Sequence, residues 1–209
     1  MASVRQNPLV TYSKVAIWIA AFLPIVRLFW LGFTDNLSAN PVEFVERSTG
    51  TWALVFLLAS LSITPIRLIT KQVWPVQVRR LLGLWMFFYA CLHITTYVWL
   101  DYSFMWSEIV KDIIKHPYVI VGFSAFLLTI PLAVTSNSAM MKRLKTKWKT
   151  LHQSIYLISI LAILHFWWLV KKDVTEPFYY AAVLALLLGI RLYYRAQKVQ
   201  KASSTSLQT

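Results

Sequence analysis

Long apolar segments alternate with short polar segments along the whole chain. Six runs contain few or no charged side chains: residues 15–33, 50–69, 81–100, 117–136, 151–170 and 177–194. A helix needs about 20 apolar residues to cross a bilayer, because it rises about 1.5 Å per residue. The pattern therefore predicts an all-α, polytopic membrane protein with a bundle of six transmembrane helices.

The polar segments at the two ends divide the chain into three parts. Residues 1–14 form a short polar lead, residues 15–194 hold the six apolar runs, and residues 195–209 form a tail whose Ser, Thr and Lys content predicts disorder. The first run is longer than the core of a signal peptide and lacks a clear cleavage site, so we expect a retained span. Neither an internal repeat nor a separate soluble domain is evident.

Composition agrees with a membrane protein and argues against nucleic acid as a partner. The chain is 58% hydrophobic, above the roughly 45–50% of soluble domains. Its net charge of +13 would suggest nucleic-acid binding in a soluble protein. Here the basic residues stand between apolar runs rather than on a polar face with interleaved aromatics. They therefore favour topology signals and contact with lipid headgroups.

Charge also predicts how the bundle is oriented. If the N-terminus is cytoplasmic, fifteen of the 21 Lys and Arg residues fall on the cytoplasmic side, where short loops are enriched in them. All eight acidic residues then fall in the three opposite loops: Asp35, Glu43, Glu46, Asp101, Glu108, Asp112, Asp173 and Glu176. The sequence thus predicts an N-in, C-in topology with a cytoplasmic lead and tail.

Histidines carry the candidate chemistry. His93 lies in the third run, His152 and His165 lie in the fifth, and His116 precedes the fourth. Ionisable side chains inside a span are costly and often mark a site. The predicted spans hold no Asp or Glu, which argues against a carboxylate proton relay or a carboxylate di-metal site. Neutral imidazoles on separate helices suit haem iron better than zinc, and without a CxxCH motif any haem would be bound non-covalently.

Counting residues along the helices shows which histidines can share an iron. His93 lies thirteen residues beyond Arg80, about 20 Å along the third helix. His165 lies sixteen residues beyond Lys149, about 24 Å along the fifth helix, which enters from the same side. Measured from the opposite ends, the two positions agree within about one helical turn. His93 and His165 are therefore predicted to ligate one haem in the outer half of the membrane.

His152 is predicted to belong to a different level of the bundle. It lies thirteen residues before His165, which is about 20 Å and roughly 140° around a straight helix. Either the helix bends, or the two histidines face different edges of the bundle. The matching depth of the third helix holds Arg79 and Arg80 rather than a histidine. A second haem there would need a non-histidine ligand, a water or an open position.

Less specific interpretations stand beside these. A histidine in a span can be a hydrogen-bonding core residue. His116 is expected at the outer surface, and Arg27 either snorkels outward or pairs with a haem propionate. Arg79 and Arg80 are topology signals whose guanidiniums could also contact a haem propionate, a quinone carbonyl or a flavin phosphate.

Three segments resemble a known family. They are RRLLGLWMFFYACLHITTY (79–97), STGTWALVFLLASLSITPIR (48–67) and KWKTLHQSIYLISILAILHFWWLVK (147–171). They resemble the MsrQ (YedZ) family of haem-binding membrane subunits of the bacterial protein-methionine-sulfoxide reductase system, within the wider ferric-reductase-like transmembrane group. The similarity runs across almost the whole chain, from the first span to the sixth.

The resemblance implies a b-type haem protein of the bacterial inner membrane, with one or two haems. Such a protein passes electrons from the quinone pool to MsrP, a periplasmic molybdopterin enzyme, and FMN is also associated with the family. Its haem ligands match His93, His152 and His165, and its basic pair matches Arg79 and Arg80. The wider group has two histidines on each of two helices, whereas this chain has Arg at the fourth place. Without the FAD and NADPH domain of larger relatives, the chain is expected to need an external electron donor.

The sequence as a whole therefore predicts an electron-transfer subunit, with the sulfoxide chemistry on its partner. The acidic loops at 35–46, 101–112 and 173–176 would form the docking surface for that partner. Two alternatives remain: a stand-alone membrane ferric or quinone oxidoreductase, and a non-redox transporter in which the histidines are core polar groups.

Overall fold

Helices form nearly all of the chain. The computed structural model describes residues 7–170 and 173–206. Its helices are α1 (Pro8–Phe33), α2 (Pro41–Thr70), α3 (Arg79–Thr95), α4 (Trp106–Lys115), α5 (Pro117–Val134), α6 (Ser138–Leu144), α7 (Thr146–His152), α8 (Ile155–Leu169) and α9 (Thr175–Ser206). A 3₁₀ turn at Trp74–Gln77 leads into α3, and a π-helix at Thr96–Asp101 continues it. The described residues include no strand, so the predicted all-α class is confirmed.

Six helical segments are long and apolar enough to cross a membrane. They are Pro8–Phe33, Pro41–Thr70, Trp74–Asp101, Pro117–Val134, Thr146–Leu169 and Thr175–Gln200. Each of them contains most or all of one predicted apolar run. The prediction of a polytopic membrane protein with six spans is therefore confirmed.

The first two spans begin earlier than their apolar runs because Asn-Pro pairs cap them. The Asn7 side chain accepts a hydrogen bond from the backbone N–H of Leu9, at 3.0 Å, and Pro8 opens α1. In the same way, Asn40 accepts from the N–H of Glu43, at 3.3 Å, before α2 begins. Proline suits the first helical turn because its missing N–H would have no partner there.

The last helix continues into the segment that was expected to be disordered. Helix α9 runs through residues 195–206 of the predicted tail. This stretch contains neither Gly nor Pro, and a helix that is already formed propagates without a new nucleation step. The rest of that tail, residues 207–209, lies outside the described residues, as do residues 1–6 of the predicted lead and the two lysines at 171–172.

Two helix pairs make up the centre of the bundle. Helix α2 packs along α3 and α5 packs along α8, while α1 lies against α3 and α9 lies against α2 and α8. Leu61 of α2, Tyr89 of α3 and Ile158 of α8 are fully or almost fully buried in the shared core. Apolar side chains on the outer faces of the spans are exposed, among them Phe29 of α1. Such faces suit contact with lipid.

Two local features were not predicted. Gln153 and Ser154 separate α7 from α8, so the fifth span is interrupted immediately after His152. The segment between the third and fourth spans contains the short helix α4, whose Trp106, Val110 and Ile114 are exposed at a spacing of four residues. Side chains four residues apart lie on one face of a helix, so α4 is amphipathic.

A buried hydrogen bond fastens α1 to the bundle. The Tyr89 hydroxyl donates to the backbone carbonyl of Ala21 at 2.6 Å, and both residues are 0% exposed. The neighbouring ring of Trp85 makes edge contacts with Trp18 and Phe22 of α1. Helix α1 is therefore held through α3 by one hydrogen bond and a group of aromatic contacts.

Replacing Tyr89 by Phe tests this link. We expect the free energy of unfolding to fall by about 1 kcal/mol, because side-chain hydrogen bonds between membrane helices contribute about 0.6 kcal/mol on average and at most about 1.7. Equilibrium unfolding in mixed detergent micelles measures the change. Tyr12→Phe is the control, because Tyr12 lies on α1 and is 72% exposed. Equal losses for the two variants would contradict the role of the Tyr89 hydroxyl.

Candidate functional site

His93 and His165 meet inside the bundle. Their ring centroids are 6.2 Å apart and their planes are inclined by 74°. His93 comes from α3 and His165 from α8, so one histidine is supplied by each of the two central helix pairs. The depth count had predicted this meeting.

Each of these imidazoles is oriented by a backbone carbonyl. Nδ1 of His93 lies 3.0 Å from the carbonyl oxygen of Glu46, and Nδ1 of His165 lies 2.7 Å from that of Tyr118. A carbonyl oxygen only accepts, so both Nδ1 atoms carry the hydrogen and donate it. Nε2 of each neutral ring then keeps its lone pair. Metal-binding histidines are commonly held in this way through their other ring nitrogen.

A glycine makes room for each ring. A Cβ on Gly50 would lie 3.0 Å from Cε1 of His93. A Cβ on Gly122 would lie 2.6 Å from Nδ1 of His165, closer than non-bonded atoms approach. In both cases the glycine follows the accepting carbonyl by four residues, one helical turn. Helices α2 and α5 thus hold a histidine in the same way. We call this arrangement, a carbonyl with a glycine four residues later, a histidine seat.

The histidine pair fits axial ligation of a haem iron. An imidazole nitrogen binds a metal at about 2 Å, so one metal between the two rings agrees with their 6.2 Å centroid separation. The described residues contain no group of three or more His, Cys, Asp or Glu side chains that could hold a metal ion. Zinc needs at least three protein ligands, whereas a porphyrin supplies four nitrogens and leaves two axial positions.

His152 lies in a different environment. Its Nε2 is 3.0 Å from the Thr135 hydroxyl, and its ring stacks on Trp148 with the centroids 4.0 Å apart. The indole N–H of Trp148 donates to the Thr135 carbonyl at 3.0 Å. The break in the helix after His152 corresponds to the bend that the sequence left open as one of two alternatives. Metal ligation by His152 stays a prediction.

The structure separates Arg79 from Arg80. Arg79 is partly buried; its charge acts on His152, and the charges of Arg191 of α9 and of Arg67 act on it. Arg80 is exposed. Of the predicted basic pair, therefore, Arg79 lies beside His152, as the depth count expected, whereas Arg80 turns to the surface.

Arg191 is one of the fifteen basic residues that an N-in topology places on the cytoplasmic side. In the structure, however, its side chain points into the bundle. Its Nη1 donates to the hydroxyl of Tyr156 at 2.5 Å, and its Nη2 donates to the backbone carbonyl of Leu61. Its guanidinium carbon lies 5.3 Å from the centre of the Tyr156 ring. The sequence feature that could have indicated this inward position is an arginine near the end of the sixth apolar run. Glycines such as Gly50 and Gly122 gave no usable signal, because glycine is common in transmembrane helices.

The other two candidates lie away from the histidine pair. Nδ1 of His116 is 2.8 Å from Oδ1 of Asp112, and the Tyr97 hydroxyl donates to Oδ2 at 2.8 Å. Burial acts to raise the pKa of Asp112, but hydrogen bonds from Tyr97, Tyr102 and His116 outweigh it and hold that pKa below its usual value. The Arg27 guanidinium lies 5.6 Å from the ring centre of Phe44. His116 is thus at the surface end of a polar network, as expected.

Comparisons with known proteins find relatives along almost the whole chain. Residues 48–163 match the family model described as "Ferric reductase like transmembrane component". A relative from Herminiimonas arsenicoxydans, named "Protein-methionine-sulfoxide reductase heme-binding subunit MsrQ", is 47% identical over 197 residues, which cover 93% of this chain and 90% of the relative. A relative of the same name from Xanthomonas campestris pv. campestris (strain B100) is 48% identical over 197 residues, covering 91% of this chain and 90% of the relative. For one from Ralstonia nicotianae the identity is 47% over 184 residues, covering 87% and 85%.

The matched region contains most of the site. It includes Gly50, Gly122, Tyr118, His93 and His152, begins two residues after Glu46 and stops two residues before His165. Similarity of this degree over about nine-tenths of the chain shows the family. This chain belongs to the MsrQ family, within the ferric-reductase-like transmembrane group.

Proposed function

We propose that this protein is a haem b-binding, electron-transferring membrane subunit of a protein-methionine-sulfoxide reductase system. The observation that carries the proposal is the pair His93 and His165, which face each other at 6.2 Å with both Nδ1 atoms engaged by carbonyls. The relatives' name describes a heme-binding subunit of such a system.

His93 and His165 would hold the haem as axial ligands through Nε2. Bound haem iron supplies reversible one-electron transfer. The carbonyls of Glu46 and Tyr118 fix the tautomer and the orientation of the two rings, and they raise the basicity of both ligands. The surrounding core excludes water and so helps to set the potential at which an electron is accepted.

The part of the bundle that contains His152 and Arg79, away from the His93–His165 pair, is proposed to receive electrons. A quinone in the bilayer or an FMN would be the immediate donor. His152 is the proposed ligand of a second haem, although its Nε2 is engaged by Thr135. Arg79 is the member of the predicted basic pair that is placed to contact such a group, since Arg80 is exposed.

The direction of transfer rests on charge. We call the end of the bundle that carries Arg67, Arg79 and Arg191 the basic end, and the opposite end, with all eight acidic residues, the acidic end. The positive-inside rule supports an N-in, C-in topology in the inner membrane, with the basic end in the cytoplasm. The acidic end would then face a periplasmic, molybdopterin-containing MsrP that reduces methionine sulfoxide.

Haem content tests the proposed ligands. We expect His93→Ala and His165→Ala each to remove most of the haem from the detergent-purified protein, because either change leaves one axial position without its ligand. Absorption spectra and a pyridine haemochrome assay measure the loss. His116→Ala is the control, because His116 contacts Asp112 at the acidic end rather than the histidine pair. If haem and spectrum survive the loss of either proposed ligand, the shared-iron pairing is wrong.

The purified wild-type protein also distinguishes the proposed function from the two alternatives. A colourless wild-type protein would favour a non-redox transporter. A haem protein that reduces ferric chelates rapidly and copurifies with no periplasmic partner would favour a stand-alone oxidoreductase.

The two glycines provide a second test that leaves the ligands in place. Gly122→Ala puts a Cβ 2.6 Å from His165, so we expect it to shift the haem spectrum and to destabilise the protein by about 1–3 kcal/mol. Gly50→Ala is expected to have a smaller effect, because its nearest contact with His93 is 3.0 Å.

Gly189→Ala is the matched control for these variants, because a Cβ there would meet nothing within 4 Å. Optical spectra and thermal unfolding of all three variants give the order of effects. A Gly122→Ala protein that behaves like Gly189→Ala would show that the glycine seat does not position His165.

A further inference from the structure

Arg79 and Arg191 converge on one turn of α2. The Ser60 hydroxyl lies 3.5 Å from the backbone carbonyl of Arg79, and the next residue, Leu61, offers its carbonyl to Arg191. Both arginines are partly buried, and the charge of Arg191 acts on Arg79, as does that of Arg67. Because Ser60 and Leu61 are neighbours in the chain, the two contacts bring two cationic residues, from α3 and α9, to the same turn of α2 at the basic end.

Pro65 explains why Arg191 turns inward. In an α-helix the carbonyl of Leu61 would accept from the N–H of the residue four positions later, but that residue is proline and has no N–H. The carbonyl that is left free accepts from Nη2 of Arg191 instead. Pro65 on one span thus determines where the cationic side chain of Arg191 lies on another span.

Within residues 7–170 and 173–206, no acidic side chain pairs with these two cations. Along α2, Glu46 precedes Ser60 by fourteen residues, about 21 Å, and along α9 Glu176 precedes Arg191 by fifteen, about 22 Å. The other acidic side chains also belong to the loops at the acidic end. Among the described residues, Arg79 has no side-chain hydrogen bond, and the buried Nε of Arg191 has no partner. Two neighbouring like charges inside a membrane bundle are costly unless an anion joins them.

We propose that Arg79 and Arg191 together bind one oxyanion, a carboxylate or a phosphate, beside His152 and Tyr156 at the basic end. Arg191, rather than Arg80, is then the partner of Arg79. A guanidinium presents several N–H donors in a plane and suits these oxyanions. The inference rests on the proposed function where the anion is a haem propionate; the other source is a phosphate group of a bound cofactor or lipid.

Two measurements on detergent-purified, full-length protein distinguish the sources. The first is the rate of haem transfer to excess apomyoglobin, which rises when a propionate contact is lost. The second is the phosphorus that stays bound after gel filtration in phosphate-free buffer, with solvent extraction to separate phospholipid from water-soluble esters. The variants are Arg79→Gln, Arg191→Gln and, as matched control, the exposed Arg80→Gln.

We expect Arg79→Gln and Arg191→Gln to change the same one of these signals, each by about tenfold, because a charge-assisted hydrogen bond contributes roughly that much to binding. The double variant should change it less than the product of the single effects, since both residues hold one group. Arg80→Gln should change neither signal. The proposal is overturned if Arg191→Gln matches Arg80→Gln in both assays, or if Arg79→Gln and Arg191→Gln affect different signals.

Loss of the Leu61 contact could change the fold rather than the anion site, and a Pro65→Ala background separates these effects. Alanine restores an N–H to the Leu61 carbonyl and removes the structural need for Arg191. Arg191→Gln in this background should still change the signal about tenfold; an unchanged signal would contradict the proposal. A wild-type protein without haem would reject the proposed function, but the phosphorus assay would still decide between the presence and absence of the oxyanion.

Discussion

A polar atom inside the bundle is costly unless it finds a partner within the protein, because hydrocarbon offers none. This constraint connects the features that matter most. Tyr89 donates to a carbonyl of α1, His93 and His165 donate to carbonyls of α2 and α5, and Arg191 donates to a carbonyl that proline leaves free. In each case a side chain on one helix meets the backbone of another. The contacts that satisfy these groups therefore also fix how the helices pack.

The same constraint decides which ring nitrogen is available for chemistry. A histidine in an apolar core has one N–H to satisfy, and in both members of the pair a carbonyl accepts from Nδ1. The lone pair on Nε2 takes no part in that hydrogen bond and stays available to a metal. His152 differs, because its Nε2 already lies 3.0 Å from a hydroxyl. Ligation at that level would require the Thr135 contact to be exchanged for a bond to the metal.

The sequence predicted the features that depend on one helix at a time. Hydropathy gave the six spans, and counting along the third and fifth helices brought His93 and His165 to the same depth. Contacts between a side chain of one helix and the backbone of another were beyond it. The inward position of Arg191 depends on a carbonyl that Pro65 frees on another span, and no local pattern links the two residues. A bend in the fifth span was one of two alternatives, but its position after His152 was not predicted, since the local sequence QS contains neither Gly nor Pro.

The two helix pairs α2–α3 and α5–α8 share an arrangement that the sequence does not reveal as a repeat. In each pair the accepting carbonyl precedes its histidine by 47 residues, and the glycine follows that carbonyl by four. Ala and Leu also recur, three and one residues before each histidine, but most of the other flanking residues differ, so the sequence shows no evident repeat. Two equivalent seats in neighbouring helix pairs bring the two imidazoles to a centroid distance of 6.2 Å. The proposed iron between His93 and His165 would thus depend on one histidine seat that occurs twice in the bundle.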